Sequence, residues 1–285
     1  MSIATYRPPG TRTIARVLSL VRSLLSRTGH VMSFSISAVA MTPHAARHYS
    51  RQTISTVTDL TWGRGAVIVG GGTSLVTMVL GLAMGGTVAV QAFATLNLLG
   101  LGSLTGSVSA LAITREFAPL LAAAAFAGQA GCRMTAEIGA MRINEEIDAI
   151  ESLGLRSISF VVSTRVLAGL IAVMPTFLIA IVVSFFACNM IVTVVQGESE
   201  GTYNHYFRQF LTGADVLAAM IKVIIFLVVV ILIHCYQGFF AAGGPEGVGV
   251  ASGRAVRASL VFIVVLDMIL TTVTWGFNSS VVFRG

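Results

Sequence analysis

VVSTRVLAGLIAVMPTFLIAIVVSFFACNMIVTVV, running from Val161 to Val195, decides the fold class, because Arg165 is the one charged side chain in it. A helix needs about 20 apolar residues to cross roughly 30 Å of hydrocarbon, and this stretch exceeds that length. Charge-free intervals also separate Arg64 from Arg115 and Lys222 from Glu246. A soluble core seldom needs runs this long, so lipid is the expected solvent. Composition agrees: 55% of the 285 residues are hydrophobic and 11% charged, against about 25% charged in soluble domains.

Outward from that stretch, five spans are expected, at about 66–93, 106–133, 161–195, 214–240 and 259–278. The fold class is all-α integral membrane protein. Ala122–Ala125, Ala127, Gly128, Ala130 and Gly131 make the second span rich in small side chains, which let helices approach closely in lipid; that span should be buried among the others. Pro175 is a candidate kink in the third. Gln196–Gly213 reads as a polar loop, and Gly243-Gly244-Pro245-Glu246-Gly247 as a break between the last two spans.

Residues 1–65 form a basic N-terminal segment. Ile14, Val17, Leu18, Val21, Leu24 and Leu25 share one helical face, with Arg12, Arg16 and Arg27 opposite, the pattern of an amphipathic helix lying in the membrane interface. The net charge of +6 does not point to nucleic acid: eight of the 18 basic residues fall in the first 64 positions, where Asp59 is the lone acid, as expected beside a membrane. Further arginines at 133, 142, 156, 165, 254 and 257 fall on the same side if the N-terminus is cytoplasmic and the C-terminus extracytoplasmic. No cleavable signal peptide is expected. Cys132, Cys188 and Cys235 lack metal-type spacing, and neither a metal site nor a catalytic constellation is expected.

Between the second and third spans, Met134–Gly154 holds Glu137, Glu145, Glu146, Asp148 and Glu151. Ile143, Ile147 and Ile150 fall on one face, so a short amphipathic cytoplasmic helix is expected over about 140–153. An acidic patch there opposes the local positive bias and suits a protein partner better than lipid headgroups. Within the spans, ionisable groups are functional candidates by default. Lys222 and Asp267 lie at similar depths and are expected to pair, while Arg133 and Glu137 have helical spacing for a local pair. His234, Tyr236 and Gln237 read as polar tips anchoring the inner end of the fourth span.

The runs Arg115–Leu121, Ala127–Gly131, Thr135–Arg142, Glu145–Gly154 and Arg165–Ala168, with Ile221-Lys222, Gly238, Gly253-Arg254 and Leu266-Asp267, resemble the MlaE/YrbE permease family in order over residues 60 to 280. The wording Thr-Ala-Glu-Ile-Gly-Ala-Met-Arg followed by Glu-Glu-Ile-Asp-Ala is similar to the actinobacterial B-type YrbE subunits that serve Mce lipid importers. Gln129, where many relatives have Arg, and Ser163-Thr164, where Pro-Arg is common, depart from that pattern. The resemblance implies a permease domain over 66–285 in the inner (plasma) membrane. It implies three partners: a second, A-type permease, a cytoplasmic ABC ATPase dimer and an extracytoplasmic ring or tube of Mce proteins. The acidic helix then corresponds to a coupling helix, with Glu137, Met141, Arg142, Glu145, Glu146, Asp148 and Glu151 meeting the ATPase.

A phosphate-binding loop needs a glycine-rich turn and a lysine, yet the one lysine, Lys222, lies in an apolar run. No cofactor is therefore expected on this chain, ATP and Mg being used by the partner. Apolar walls suit a lipid substrate, with Leu82, Met84 and Val88 as candidate pathway residues. The competing readings are a membrane scaffold and a lipid-modifying membrane enzyme; the latter would want clustered His, Asp, Ser or Cys, which the sequence disperses.

Overall fold

The computed structural model describes residues 11–62 and 72–276, and among them there is no β-strand. Among the described residues, ten helical segments follow one another: α1 Thr11–Ala40, α2 Thr42–His48, α3 Ser50–Trp62, α4 Gly72–Asn97, α5 Gly102–Ile143, α6 Glu146–Ser152, α7 Ile158–Val195, α8 Glu200–Phe210, α9 Gly213–Phe239 and α10 Gly244–Gly276. Of these, α4, α5, α7, α9 and α10 are long and apolar enough to cross a membrane.

Close approach of α4 to α7 rests on missing side chains. A Cβ on Gly85 would stand 2.1 Å from the Ser184 carbonyl oxygen, and one on Gly81 would stand 2.8 Å from that of Ala180. Lipid tails give two apolar helices no hydrophobic reason to associate, so intimate packing of this kind must hold them. The small-residue span, α5, is buried as expected: Ala122, Ala123, Ala125, Phe126, Ala127 and Ala130 all lie in the core. At the opposite extreme, α10 buries a single stripe, Ala251, Ala255, Ser259, Ile263 and Asp267, at four-residue intervals. The α1 helix joins the bundle through Phe34, which packs edge-on against Tyr236, and through His30, whose Nδ1 lies 3.0 Å from the Tyr236 hydroxyl.

Several boundaries differ from the sequence reading. Residues 66–71, assigned to the first span, fall outside the described residues, and the described helix runs on to Asn97. The second span continues unbroken to Ile143, and the amphipathic helix expected at 140–153 is cut in two. Asn144 leaves helical geometry and Glu145 turns left-handed at φ 59°, so α6 begins at Glu146. The apolar period through Ile143, Ile147 and Ile150 hid this break. The loop expected at 196–213 contains α8, held by Tyr203, whose hydroxyl donates to Ser109 Oγ at 2.9 Å. Burial pushes that phenol's pKa up. The last helix starts at Gly244, not near Ser259, because Gly243 at φ 95° and Gly244 at φ 69° make the turn and Pro245 sits in the first helical turn, where it costs nothing. Arg254 and Arg257 are therefore within α10.

The α5, α7 and α10 helices carry π-helical turns at Ile113–Phe117, Ala127–Gly131, Ile158–Ser163, Ile191–Val195 and Thr272–Gly276. Such turns widen a helix locally and recur where polar groups must be aimed inward. Two of them flank the charged layer described next.

Candidate functional site: a buried charged layer, an acidic turn and an apolar groove

Toward the α8 side of the bundle, Lys222 of α9 is 2% exposed. Its Nζ lies 2.6 Å from Asp267 Oδ1 of α10 and 3.3 Å from Glu116 Oε2 of α5. It also donates to the Arg115 carbonyl at 2.8 Å and to Thr271 Oγ1 at 2.6 Å. Thr271 in turn donates to Glu116 Oε1 at 2.9 Å. The expected partners are thus adjacent, and three helices rather than two are tied at this point. Asp267 Oδ1 takes its compensation from the ammonium's charge and accepts no well-directed hydrogen bond.

Beside this cluster, Arg115 pairs with Asp215 at 3.0 Å and lies over the Trp275 ring at 5.2 Å. Trp275 Nε1 donates to Asp215 Oδ1 at 3.0 Å, and Thr212 Oγ1 donates to Asp215 Oδ2 at 2.7 Å. Every charge here has an opposite charge at contact distance, which is the condition under which burial is tolerated. The sequence pairs Lys222 with Asp267 but supplies no partner for Arg115 or Glu116 and leaves Asp215, Thr271 and Trp275 unmarked. The adjacent Arg115-Glu116 pair inside an apolar run was the available signal.

On the opposite side, Arg133 Nε lies 2.9 Å from Glu137 Oε1, one turn away, and Arg165 Nη2 lies 3.4 Å from Glu137 Oε2. Arg133 Nη1 also donates to the Asp59 carbonyl at 2.9 Å, tying α3 to α5. Glu137 therefore bridges two arginines inside the bundle's rim, while the other acids of the segment face outward. Glu145, Glu146, Asp148 and Glu151 are exposed, and Ile147 is fully buried beneath them as the anchor of α6. Arg142 Nη1 donates to Asp148 Oδ1 at 2.7 Å, and Ser157 Oγ donates to Glu151 Oε1 at 2.5 Å. Met141 is half-buried against the core. The α6 surface is thus firmly seated, acidic and open.

His234 corrects the sequence reading. It is not an interfacial tip but fully buried, with Nδ1 2.8 Å from Thr135 Oγ1 and its ring filling the space left by Gly131, where a Cβ would meet it at 2.7 Å. Its neighbour two residues on, Tyr236, meets His30 of α1 through its hydroxyl.

Between α4 and α5 lies an open groove of about 500 Å³, lined by Met84, Val88, Ala92, Leu96, Ala112 and Phe117 among others. Of the three candidate pathway residues, Met84 and Val88 line it. Leu82 is 54% exposed and is not among the lining residues.

These features describe a polytopic, all-helical membrane protein with a buried polar layer, an exposed acidic turn and an apolar groove in its flank. Residues 62–273 match the model of the permease MlaE family. The chain is similar to a probable ABC transporter permease protein of Rickettsia bellii, at 30% identity over 187 residues, covering 66% of this chain and 72% of that protein. It is similar to the intermembrane phospholipid transport system permease protein MlaE of Haemophilus influenzae, at 27% identity over 203 residues, covering 71% of this chain and 78% of that one. A third relative is the chloroplastic protein trigalactosyldiacylglycerol 1 of Arabidopsis thaliana, at 32% identity over 174 residues, covering 61% of this chain and 50% of the relative. The chain belongs to the MlaE permease family.

Proposed function

We propose that this chain is the transmembrane permease subunit of an ATP-driven, Mce-type lipid transporter, working in the import direction. A B-type subunit, it forms the lipid pathway with an A-type permease, above a cytoplasmic ABC ATPase dimer and below an extracytoplasmic Mce ring or tube. The N-terminus and α6 face the cytoplasm, and α8 faces outward. ATP and Mg are bound by the ATPase.

One observation carries this reading: α6 presents exposed Glu146, Asp148 and Glu151 on a helix pinned to the bundle by Ile147. Exposed carboxylates gain nothing from anionic headgroups, but they complement a basic or polar protein groove. Because α6 follows α5 directly and α5 carries Arg115 and Glu116 of the buried layer, a push on α6 acts on the helix that organises the whole bundle. The apolar groove between α4 and α5 supplies a surface for the cargo.

The test is reconstitution of this chain with the second permease and the ATPase in proteoliposomes, with transfer of a fluorescent lipid as readout. Transfer that requires both ATP and this chain is the expected result. ATP-independent transfer, or ATPase activity indifferent to the chain, would favour a scaffold instead.

A further inference from the structure

The groove between α4 and α5 is apolar in bulk but not throughout. Thr87, Gln91 and Thr95 stand one helical turn apart on α4, all exposed and all lining it. Their spacing places polar atoms about every 6 Å along the groove. Thr87 Oγ1 donates to the Ala83 carbonyl and Thr95 Oγ1 to that of Gln91, both at 2.8 Å. With their protons so used, the two hydroxyl oxygens are left as acceptors. The Gln91 side-chain amide has no hydrogen-bond partner among the described residues, so it offers both donors and an acceptor. An amide left unmet in a hydrocarbon setting is costly, and an occupant that meets it gains by the same measure.

No lining residue is charged. The cations of the buried charged layer, Arg115 and Lys222, are already engaged by Asp215, Glu116 and Asp267. A phosphate or carboxylate lodged here would lack a counter-ion, an arrangement that burial penalises heavily. A hydroxyl, ester or amide on an otherwise apolar molecule fits both halves of the surface. The volume, about 500 Å³, lies within the usual range for ligand pockets, about 300–1,000 Å³.

We infer that this groove binds a lipid through an uncharged hydrogen-bonding group seated on Thr87, Gln91 and Thr95, in preference to a lipid with an anionic headgroup. The inference rests on the permease reading above and adds the chemical class of the cargo.

The test uses the full chain in nanodiscs with two photoreactive probes, a long-chain fatty alcohol and a phosphatidic acid of matched chain length. The alcohol should label residues 84–96 at least about tenfold more efficiently than the phosphatidic acid, since an uncompensated anion is excluded. Gln91→Leu should reduce labelling by the alcohol about fivefold, the loss of one hydrogen-bonding group. Equal labelling by the phosphatidic acid, or full alcohol labelling of Gln91→Leu, would overturn the inference. So would a Gln91→Cys chain that cross-links to the second permease whether or not nucleotide is present, because protein then fills the groove. None of these outcomes would abolish ATP-driven transfer of lipids in proteoliposomes. Its absence for every lipid would instead bring down the permease reading itself.

Discussion

The two charged regions of this molecule use the same residue types for opposite ends. In the layer around Lys222, five ionisable side chains from α5, α9 and α10 or their flanks satisfy one another inside the bundle. Around α6, most of the acids are left to face outward, and the local pairs, Arg142 with Asp148 and Ser157 with Glu151, fix the backbone rather than hide the charge. Burial makes the difference. A charge in a low-dielectric interior must be paired and so becomes a constraint on helix position, whereas an exposed charge is cheap and available to a partner. The first region ties three helices together, and the second is where we propose that another protein moves the permease.

The largest effect should come from breaking the inner layer. Lys222→Met leaves Glu116 and Asp267 without their cation, and removal of one member of a buried ionic cluster costs about 3–5 kcal/mol. The expected outcome is a steep fall in thermal stability and in membrane yield, measured on detergent-purified protein. Adding Glu116→Gln and Asp267→Asn to Lys222→Met should recover part of that loss. A triple variant as unstable as the single one would mean that the layer is not held by charge.

Next in size is Gly85→Val. Its Cβ would stand 2.1 Å from the Ser184 carbonyl oxygen, so α4 must move away from α7, at a cost of about 1–3 kcal/mol or more. A lowered melting temperature with a shifted α4–α7 cross-linking pattern would confirm it. Tyr203→Phe should cost less, about 1 kcal/mol, because it removes one buried hydrogen bond, that to Ser109, without changing shape. Faster proteolysis at α8 is the readout. Smallest of all in stability, and so the sharpest contrast with Lys222→Met, is Glu146→Lys with Asp148→Lys. Both positions are exposed, and the surface pair of Asp148 with Arg142 that the change removes is worth about 0–1 kcal/mol.

The spans were legible because charge-free runs of that length have one economical explanation, and the Lys222 and Asp267 positions were legible because charges in such runs demand partners. What the sequence concealed was three-dimensional or local. Glu116 lies one residue from Arg115 in the chain, yet the two side chains serve different partners about two turns apart on α9, Lys222 and Asp215. The turn at Asn144-Glu145 interrupts an isoleucine period that continues through it, and a left-handed Glu has no propensity signal. The α8 helix read as loop because its polar residues outnumber Tyr203 and Phe207, the pair one turn apart that packs inward. His234 read as interfacial from its place near a helix end, but a glycine on α5, Gly131, opens a pocket for it that no inspection of α9 alone reveals.

We propose that an ATPase drives this permease through α6, and the Glu146→Lys, Asp148→Lys variant tests that most directly. Co-purification of the ATPase with the variant should fall to background, and lipid-stimulated ATP hydrolysis with it, while the melting temperature of the permease itself stays within about 4 °C of the unaltered chain, the loss of one surface pair. An ATPase that still co-purifies and still responds to lipid with both charges reversed would contradict the claim.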